Sequence, residues 1–417
     1  MTGPNLAAMA WRNLWRHRRR TVLTLASMAF GMTLAVLFTG IGDEGYARMI
    51  ELAAKMDGGH VTVQHPEMLD TPSLKHTVMD ATALADTARA DPQVSRVVTR
   101  INGQVLLATA RQSKGAAFIA FDPKAEDPAT FSLLEALHEG EMFASSNDKG
   151  IILGERLADH LGVKLGKKVV LTLTDKQGEI VSSLARVTGI IRTGAPTIDA
   201  SLCLLPLDRV RQTLGYGPDE ATQVAIFLPD HRNTATVADR LATTVAGRAV
   251  ALPWYEAKAE LAGFIAMKVN STLFMEVLIM LLVAAGIFNQ IFVSVMERSR
   301  EFGIMMAIGF SPGRLFRLVM WESLWLAIVG VGVGAAITSV PYYLGHTRGI
   351  DMTAMVGGAG KKAEVAGVAL EPIWRIAIYP ENAVYILVAV VGATLLSGLY
   401  PAWRSGRVVP VDSIKLV

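Results

Sequence analysis

The sequence has 417 residues, 51% of them hydrophobic, and a mean hydropathy of +0.37, too apolar for a soluble protein of ordinary composition. A formal net charge of +3 excludes nucleic-acid binding through bulk charge, and the single cysteine, Cys203, excludes a disulfide within one chain. Four windows, Thr21 to Gly42, Val277 to Met296, Ser323 to Leu344 and Asn382 to Trp403, lack Asp, Glu, Lys and Arg. About 20 residues at 1.5 Å each cover the roughly 30 Å of a hydrocarbon core, so the reading is a membrane protein with four transmembrane α-helices.

Residues 1–20 read as a cytoplasmic interfacial helix. Trp11, Leu14 and Trp15 alternate with Arg12, Arg16, Arg18, Arg19 and Arg20, giving aromatic anchors and a basic face toward anionic headgroups. Span one, 21–42, carries the small residues Ala26, Ser27, Ala29, Gly31 and Ala35, which let helices approach closely. Its length and the missing small-x-small site before Asp43 predict a retained anchor, not a cleaved signal peptide.

Residues 43–270 have ordinary polar composition and are expected to form a large extracytoplasmic α+β domain between helices 1 and 2. Strands are predicted at 60–64, 95–100, 104–109, 116–121, 168–174, 184–191, 201–207 and 222–228 from β-branched content and turn flanks. Helices are predicted at 81–90, 131–137, 155–161, 208–214 and 234–244. The strands cluster over about 100–206 as a β-rich lobe, with the helix-bearing flanks folding together near the membrane. From Trp254 a helical pattern runs without Pro into span two, 271–296, as a continuous stalk. Asn289 and Gln290 in that span are amides suited to bonding a neighbouring helix.

Residues 297–318 are the segment around which the chain is organised. Glu297, Arg298, Arg300 and Glu301 crowd together, 302–310 is apolar with Gly303 and Gly309, and Ser311-Pro312-Gly313 breaks the run before Arg314 and Arg317. This pattern fits a short amphipathic helix at the membrane surface ended by a Ser-Pro-Gly turn, and equally a solvated loop whose arginines only fix topology. Span three, 319–345, contains Gly330, Gly332 and Gly334 with one G-x-x-x-G, a packing motif. After Pro341 an extracytoplasmic loop, 346–381, includes MVGGAGKKAEVAG and leads to span four, 382–403, and a cytoplasmic tail, 404–417. Arginines before span one, between spans two and three, and after span four place both termini in the cytoplasm and the large domain outside it.

Recognisable catalytic chemistry is missing. GVKLGKKV (162–169) lacks the spacing and the Ser/Thr of a nucleotide-binding P-loop. His60 and His65, five apart on a predicted strand, point to opposite faces and cannot chelate one metal. There is no G-x-S-x-G, and Cys203 has no nearby base in the sequence. No catalytic, cofactor-binding or metal-binding residues are therefore expected in this chain.

The strings AWRNLWRHRRRTVLTLASMAFGMTLAV, GIILGERLADHLGVKLGKKVVLTL, ERSREFGIMMAIGFSPGRLFRLVMWES and GLYPAWRSGRVVPVDSIK resemble the FtsX/MacB-like ABC transporter permease superfamily, over nearly the whole chain, and in particular its lipoprotein-releasing, LolC/LolE-type branch. The resemblance implies a MacB-like periplasmic core of porter and sabre type, in a multi-pass protein of the inner membrane. It implies a coupling helix after span two that docks in a groove of a separate cytoplasmic ABC ATPase; the matching positions are Glu297, Arg298, Glu301, Phe302, Gly303, Ile304, Ala307, Ile308 and Gly309. Relatives commonly have a basic residue where this chain has Met306, which leaves Arg314 or Arg317 to supply that contact.

A second permease subunit, identical or not, is implied over an ATPase dimer that binds ATP and Mg²⁺. The implied function is extraction or release of lipoproteins from the outer leaflet to a periplasmic acceptor. An apolar substrate cavity would draw on the outer ends of spans one and two, with Phe30, Leu34, Phe38, Phe264, Met267 and Phe274 as candidates, each equally placed to face lipid or core. Membrane lipids are expected partners and nucleic acid is not. Two other readings stay open: mechanical signalling to an extracytoplasmic cell-wall hydrolase, and peptide or drug efflux with a periplasmic adaptor.

Overall fold

The computed structural model describes residues 5–356, 363–365, 368–370 and 372–407. The part of the predicted tail beyond Arg407, and much of MVGGAGKKAEVAG, lie outside the described residues. The chain divides into an α+β unit built from 46–266 with 351–373, and a helical unit built from 1–45, 267–350 and 374–417.

In the α+β unit ten strands form in chain order: β1 (Val61–Gln64), β2 (Arg96–Ala108), β3 (Ser113–Phe121), β4 (Leu137–Gly140), β5 (Gly150–Gly154), β6 (Lys168–Thr174), β7 (Ile180–Ile191), β8 (Leu202–Pro206), β9 (Gln223–Phe227) and β10 (Val250–Pro253). The first half of β2 completes an antiparallel sheet in the order β10-β1-β9-β2. Its second half pairs with β3, β3 with β8, β8 with β5, β5 with β7, β7 with β6, and β6 again with β2. These six strands close on themselves, and Phe118, Ile151, Leu153, Val169, Leu171, Val187, Cys203 and Leu205 belong to the core they enclose. Alternation explains why they sit inside: β6 buries every second residue and turns the others outward.

Several local expectations are corrected. Segments 95–100 and 104–109 are one strand, because Asn102 and Gly103 make no turn. Asn102 donates from its side chain to Asp57, and a Cβ at Gly103 would lie 2.6 Å from Leu74. Residues 131–137 form a 3₁₀ turn, Ser132–Ala136, running into β4. Strand β5 is buried at every position, so it lacks the alternation that marks a strand in sequence. Helices form over Ala81–Arg89, Glu155–Leu161, Leu207–Leu214 and Thr234–Val245. The continuous stalk from Trp254 is interrupted: Trp254–Ala257 ends at Lys258, whose φ of −126° and ψ of 61° are not helical, and the long helix begins at Ala259.

The helical unit contains a surface helix, Leu6–Arg16, and parts or all of four helices long and apolar enough to cross a membrane: Arg18–Met56, Ala259–Glu297, Pro312–Thr347 and Pro380–Ser405. The first two have 39 residues each, about 58 Å at 1.5 Å per residue, well beyond a hydrocarbon core. Leu25, Met28, Ala35, Ile287, Leu326, Ile386 and Val390 form the buried centre where the four pack. The glycine motif has a physical role here: a Cβ at Gly330 would lie 2.4 Å from Met28 and one at Gly334 2.8 Å from Met32, while Gly332 faces open space. Cross-helix polar contacts add Thr33 to Thr338 at 2.9 Å and the Ser397 hydroxyl donating to the Ala284 carbonyl at 3.0 Å. Asp43 accepts from the Tyr379 N–H at 3.0 Å and from the Asn382 amide, fixing the start of the fourth helix against the first. Pro341 does not end span three; the helix runs through it to Thr347, as the fourth runs through Pro401 to Ser405.

Candidate functional site

The segment after the second long helix is crowded with charge, and a cluster of polar side chains holds it. Helical dihedrals lapse at one residue, Arg298 (φ −94°, ψ 10°), after which Ser299–Ala307 forms a nine-residue helix. Gly309, at φ +100°, closes it, a backbone conformation that only glycine adopts readily. Ser311-Pro312-Gly313 then starts the third long helix, with Pro312 in its first turn, instead of forming a free turn.

The positions matched by resemblance divide into two sets. Phe302 and Gly303 are buried, Phe302 packing among Val295, Leu315, Val319 and Ala402. Ile304, Ala307, Ile308 and Gly309 are exposed, Ile308 by 73%, and Arg300, Arg314 and Arg317 are exposed as well. An outward apolar ridge flanked by cations is the kind of surface that fits an apolar groove with an acidic rim.

Arg298 lies beneath that ridge. Its Nη1 donates to both oxygens of Glu322 at 3.0 Å, its Nε donates to Glu301 at 3.2 Å, and its guanidinium covers the Phe302 ring at 5.2 Å. Asn13 donates to the same Glu322 at 2.7 Å. Arg16 pairs with Glu301 at 2.9 Å and Arg20 with Glu297 at 2.8 Å. Arg20 also donates to Gln290 at 3.3 Å, the helix-to-helix role expected of that amide; Asn289 is exposed. Asn13, Arg16, Arg20 and Glu322 were not singled out for this site in the sequence. A carboxylate at the mouth of an apolar span, as Glu322 is, was the signal available.

The six proposed cavity residues do not converge in one chain. Phe30, Phe38, Met267 and Phe274 are between 51% and 66% exposed, Leu34 is half-buried, and Phe264 packs against the cluster of Met49, Ile50, Leu261 and Ile265. Outward apolar side chains on a span face lipid or another subunit.

Within the α+β unit a second polar centre gathers the ends of two helices onto the sheet. Arg100, fully buried, makes a two-pronged pair with Glu126 (2.7 and 3.0 Å), donates to the Thr130 carbonyl at 2.8 Å and to the Asp57 carbonyl, and lies over the Phe131 ring at 4.6 Å. The Asp57 carboxylate accepts from Asn102, from Gln223 at 2.9 Å and from Lys258. The non-helical Lys258 is thereby the residue that ties the start of the second long helix to the end of the first. A cavity of about 730 Å³ opens beside it, walled by Met56, Met68, Leu74, Phe118, Ile119, Leu202 and Leu261.

Burial opposes the charge on Asp57, but Lys258 and Gln223 outweigh it and hold the carboxyl at about 2. The His60 ring does the same for Glu51, also at about 2; His60 accepts from the Leu228 N–H through Nδ1, which leaves Nε2 facing Glu51 at 3.1 Å. Both folded values lie below the unfolded ones, so both groups stabilise the unit above about pH 4 and lose that contribution as the pH falls toward 2. Replacing both, as Glu51→Gln with Asp57→Asn, should lower stability at pH 7 and flatten its decline between pH 5 and 2, read by tryptophan fluorescence of the detergent-solubilised chain. An unchanged acid profile would contradict the assignment.

His60 and His65 do not meet. His65, Glu67 and His76 do, with candidate ligand atoms within 4.8 Å of one another. The rings of His65 and His76 stack at 10°, so their in-plane lone pairs do not converge on one point, and His65 Nδ1 accepts from the Glu67 N–H at 3.2 Å as a turn cap. The Cys203 thiol is buried, which pushes its pKa up and suits packing, not nucleophilic chemistry.

Residues 21–244 match the family model described as the MacB-like periplasmic core domain, and 273–410 that of the FtsX-like permease C-terminal region. The chain is 25% identical over 452 aligned positions to the lipoprotein-releasing system transmembrane protein LolC of Xylella fastidiosa strain 9a5c, covering 100% of both. It is 21% identical to LolE of Haemophilus influenzae, covering 95% of this chain and 97% of that one. Among solved structures it is similar to the periplasmic region of MacB from Actinobacillus actinomycetemcomitans, at TM-score 0.34 and 12% identity, covering 46% of this chain and 87% of that one.

Proposed function

Because the chain belongs to the FtsX/MacB-like family of ABC transporter permeases, we propose that it is a non-catalytic permease subunit of the inner membrane, acting with a separate cytoplasmic ABC ATPase and a second permease subunit. Its four long helices span the bilayer, both termini are cytoplasmic, and the α+β unit stands in the periplasm as a domain inserted between the first two spans. ATP and Mg²⁺ are bound by the partner. The observation that carries this reading is the exposed ridge of Ile304 and Ile308 beside Arg314 and Arg317, set on a helix whose other face is anchored by Phe302 and Arg298.

The substrate class proposed is lipoprotein, supported by full-length similarity to LolC and LolE. A triacylated client with roughly fifteen methylenes per chain is held in the bilayer by about 36 kcal/mol at 0.8 kcal/mol per CH₂. Thermal escape at that depth is negligible, so release to a periplasmic acceptor needs both ATP-driven motion and an apolar shelter. The outward faces of Phe30, Phe38, Met267 and Phe274 are free to line such a shelter between two subunits. The test is purification from native membranes: acylated protein should accompany the complex and leave it only with ATP and an acceptor. A complex that carries no acylated protein and binds a cell-wall hydrolase or an efflux adaptor instead would overturn the lipoprotein assignment.

A further inference from the structure

The N-terminal helix presents different chemistry on its two sides. On the inner side Ala10 is fully buried, Trp325 donates to the Ala7 carbonyl at 3.0 Å, the Trp11 and Trp325 rings meet edge to face at 5.2 Å, and Asn13 holds Glu322. Arg12 on the outer side, and Arg18 and Arg19 at the start of the first long helix, are exposed, and Trp15 is 39% exposed. Two links run from this helix to the short helix Ser299–Ala307 and its flanks, Arg16 to Glu301 and Asn13 through Glu322 to Arg298, and Arg20 at the start of the first long helix adds one to Glu297. The link through Glu322 reaches Arg298, the non-helical residue that separates the second long helix from the short one.

We propose that the outer side of this helix, with Arg18 and Arg19 at its junction with the first long helix, binds the headgroups of acidic phospholipids, and that this binding sets the position of the coupling helix through Asn13, Glu322 and Arg298. The proposal rests on the reading of the chain as a membrane-spanning permease with that coupling role. Charge complementarity selects the ligand. Each exposed arginine near an anionic surface gains about 1 kcal/mol, and tryptophans seat in the headgroup layer of a membrane. Arg12, Arg18 and Arg19 make none of the ion pairs of the latch, so they are free to meet headgroups while Arg16 and Arg20 hold the protein. When the headgroups neutralise the outer arginines, the helix is pinned to the bilayer and the latch holds the coupling helix in register. In a zwitterionic bilayer the pin is weaker and the latch moves with it.

The experiment uses the full chain with its ATPase in nanodiscs of phosphatidylcholine alone or of phosphatidylcholine and phosphatidylglycerol at about 7:3. Two readouts are taken: substrate-stimulated ATPase, and hydrogen exchange of the amides of Ser299–Ala307. Wild type should gain roughly five-fold or more in both stimulation and protection in the anionic discs, the factor that one arginine alone would supply. The triple variant Arg12→Gln, Arg18→Gln, Arg19→Gln should respond to neither composition. Glu322→Gln should keep its phosphatidylglycerol enrichment, measured in the co-purified lipid, and lose the response of the coupling helix. A triple variant or a Glu322→Gln variant that responds as wild type does would overturn the proposal, as would nuclease-sensitive association of the arginines with nucleic acid. Hydrogen exchange needs no ATPase, so failure to assemble with one would sink the permease reading while this inference is still judged on the protection of the coupling helix.

Discussion

Ile308→Glu is expected to weaken docking of the ATPase by at least about 2 kcal/mol, roughly thirty-fold in affinity, without unfolding the chain. The side chain is 73% exposed, so a carboxylate there costs the permease itself little, yet in the docking proposed above it would enter an apolar groove of the partner unpaired. Gly309→Arg should reach the same end by another route. Nothing stands within 4 Å of the missing Cβ, but φ is +100°, so the cost is backbone strain of about 1–3 kcal/mol, and the closing bonds from Ile308 to Ile304, Gly309 to Met306 and Phe310 to Met305 are put at risk. The measurement is titration of purified ATPase against each variant, with ATP turnover and transport followed in proteoliposomes. Affinity and coupling at wild-type levels in both would remove the docking assignment.

The second large effect is on stability. Removing one member of the buried pair, as Glu126→Ala, should cost about 3–5 kcal/mol because Arg100 would be left charged, fully buried and short of two acceptors. The double variant Arg100→Met, Glu126→Leu should recover part of that loss. Recovery is incomplete because the Thr130 and Asp57 carbonyls lose their donor as well. Thermal unfolding in detergent, with limited proteolysis of the α+β unit, reads both. A single variant as stable as wild type would mean that water reaches the site and that Arg100 does not knit the sheet to the helix ends.

The readable parts of the sequence were those where one physical rule acts alone. Uncharged windows mark the long helices, and alternation marks β6, which forms over Lys168–Thr174 as expected. The helix at Glu155–Leu161 was legible for a similar reason, its end fixed by Gly162 at φ +64°. Failures came where tertiary context overrides the local rule. Segments 95–100 and 104–109 read as two strands until Asp57 and Leu74 are seen to occupy the space around Asn102 and Gly103. At the site, crowded charge located the segment, but sequence alone could not tell which residues face out. The 24-residue separation of Arg298 from Glu322 hid the pair. For the cavity, apolar residues at helix ends look the same whether they meet lipid, a neighbour or a ligand, and Phe264 turned out to belong to the packing of the α+β unit.

The self-closing arrangement of β2, β3, β8, β5, β7 and β6 limits how a peptide could join this unit. With both flanks of each strand already engaged around the circuit, an unfolded polypeptide finds no place there to add itself as a further rung. Within the circuit any contact with a passing chain would be made by side chains, which let go more readily than a continuous ladder of amide bonds. Among the described strands β1 to β10 the open flanks belong to β10 and β4, each paired on one side, so addition of a further strand is confined to those two margins.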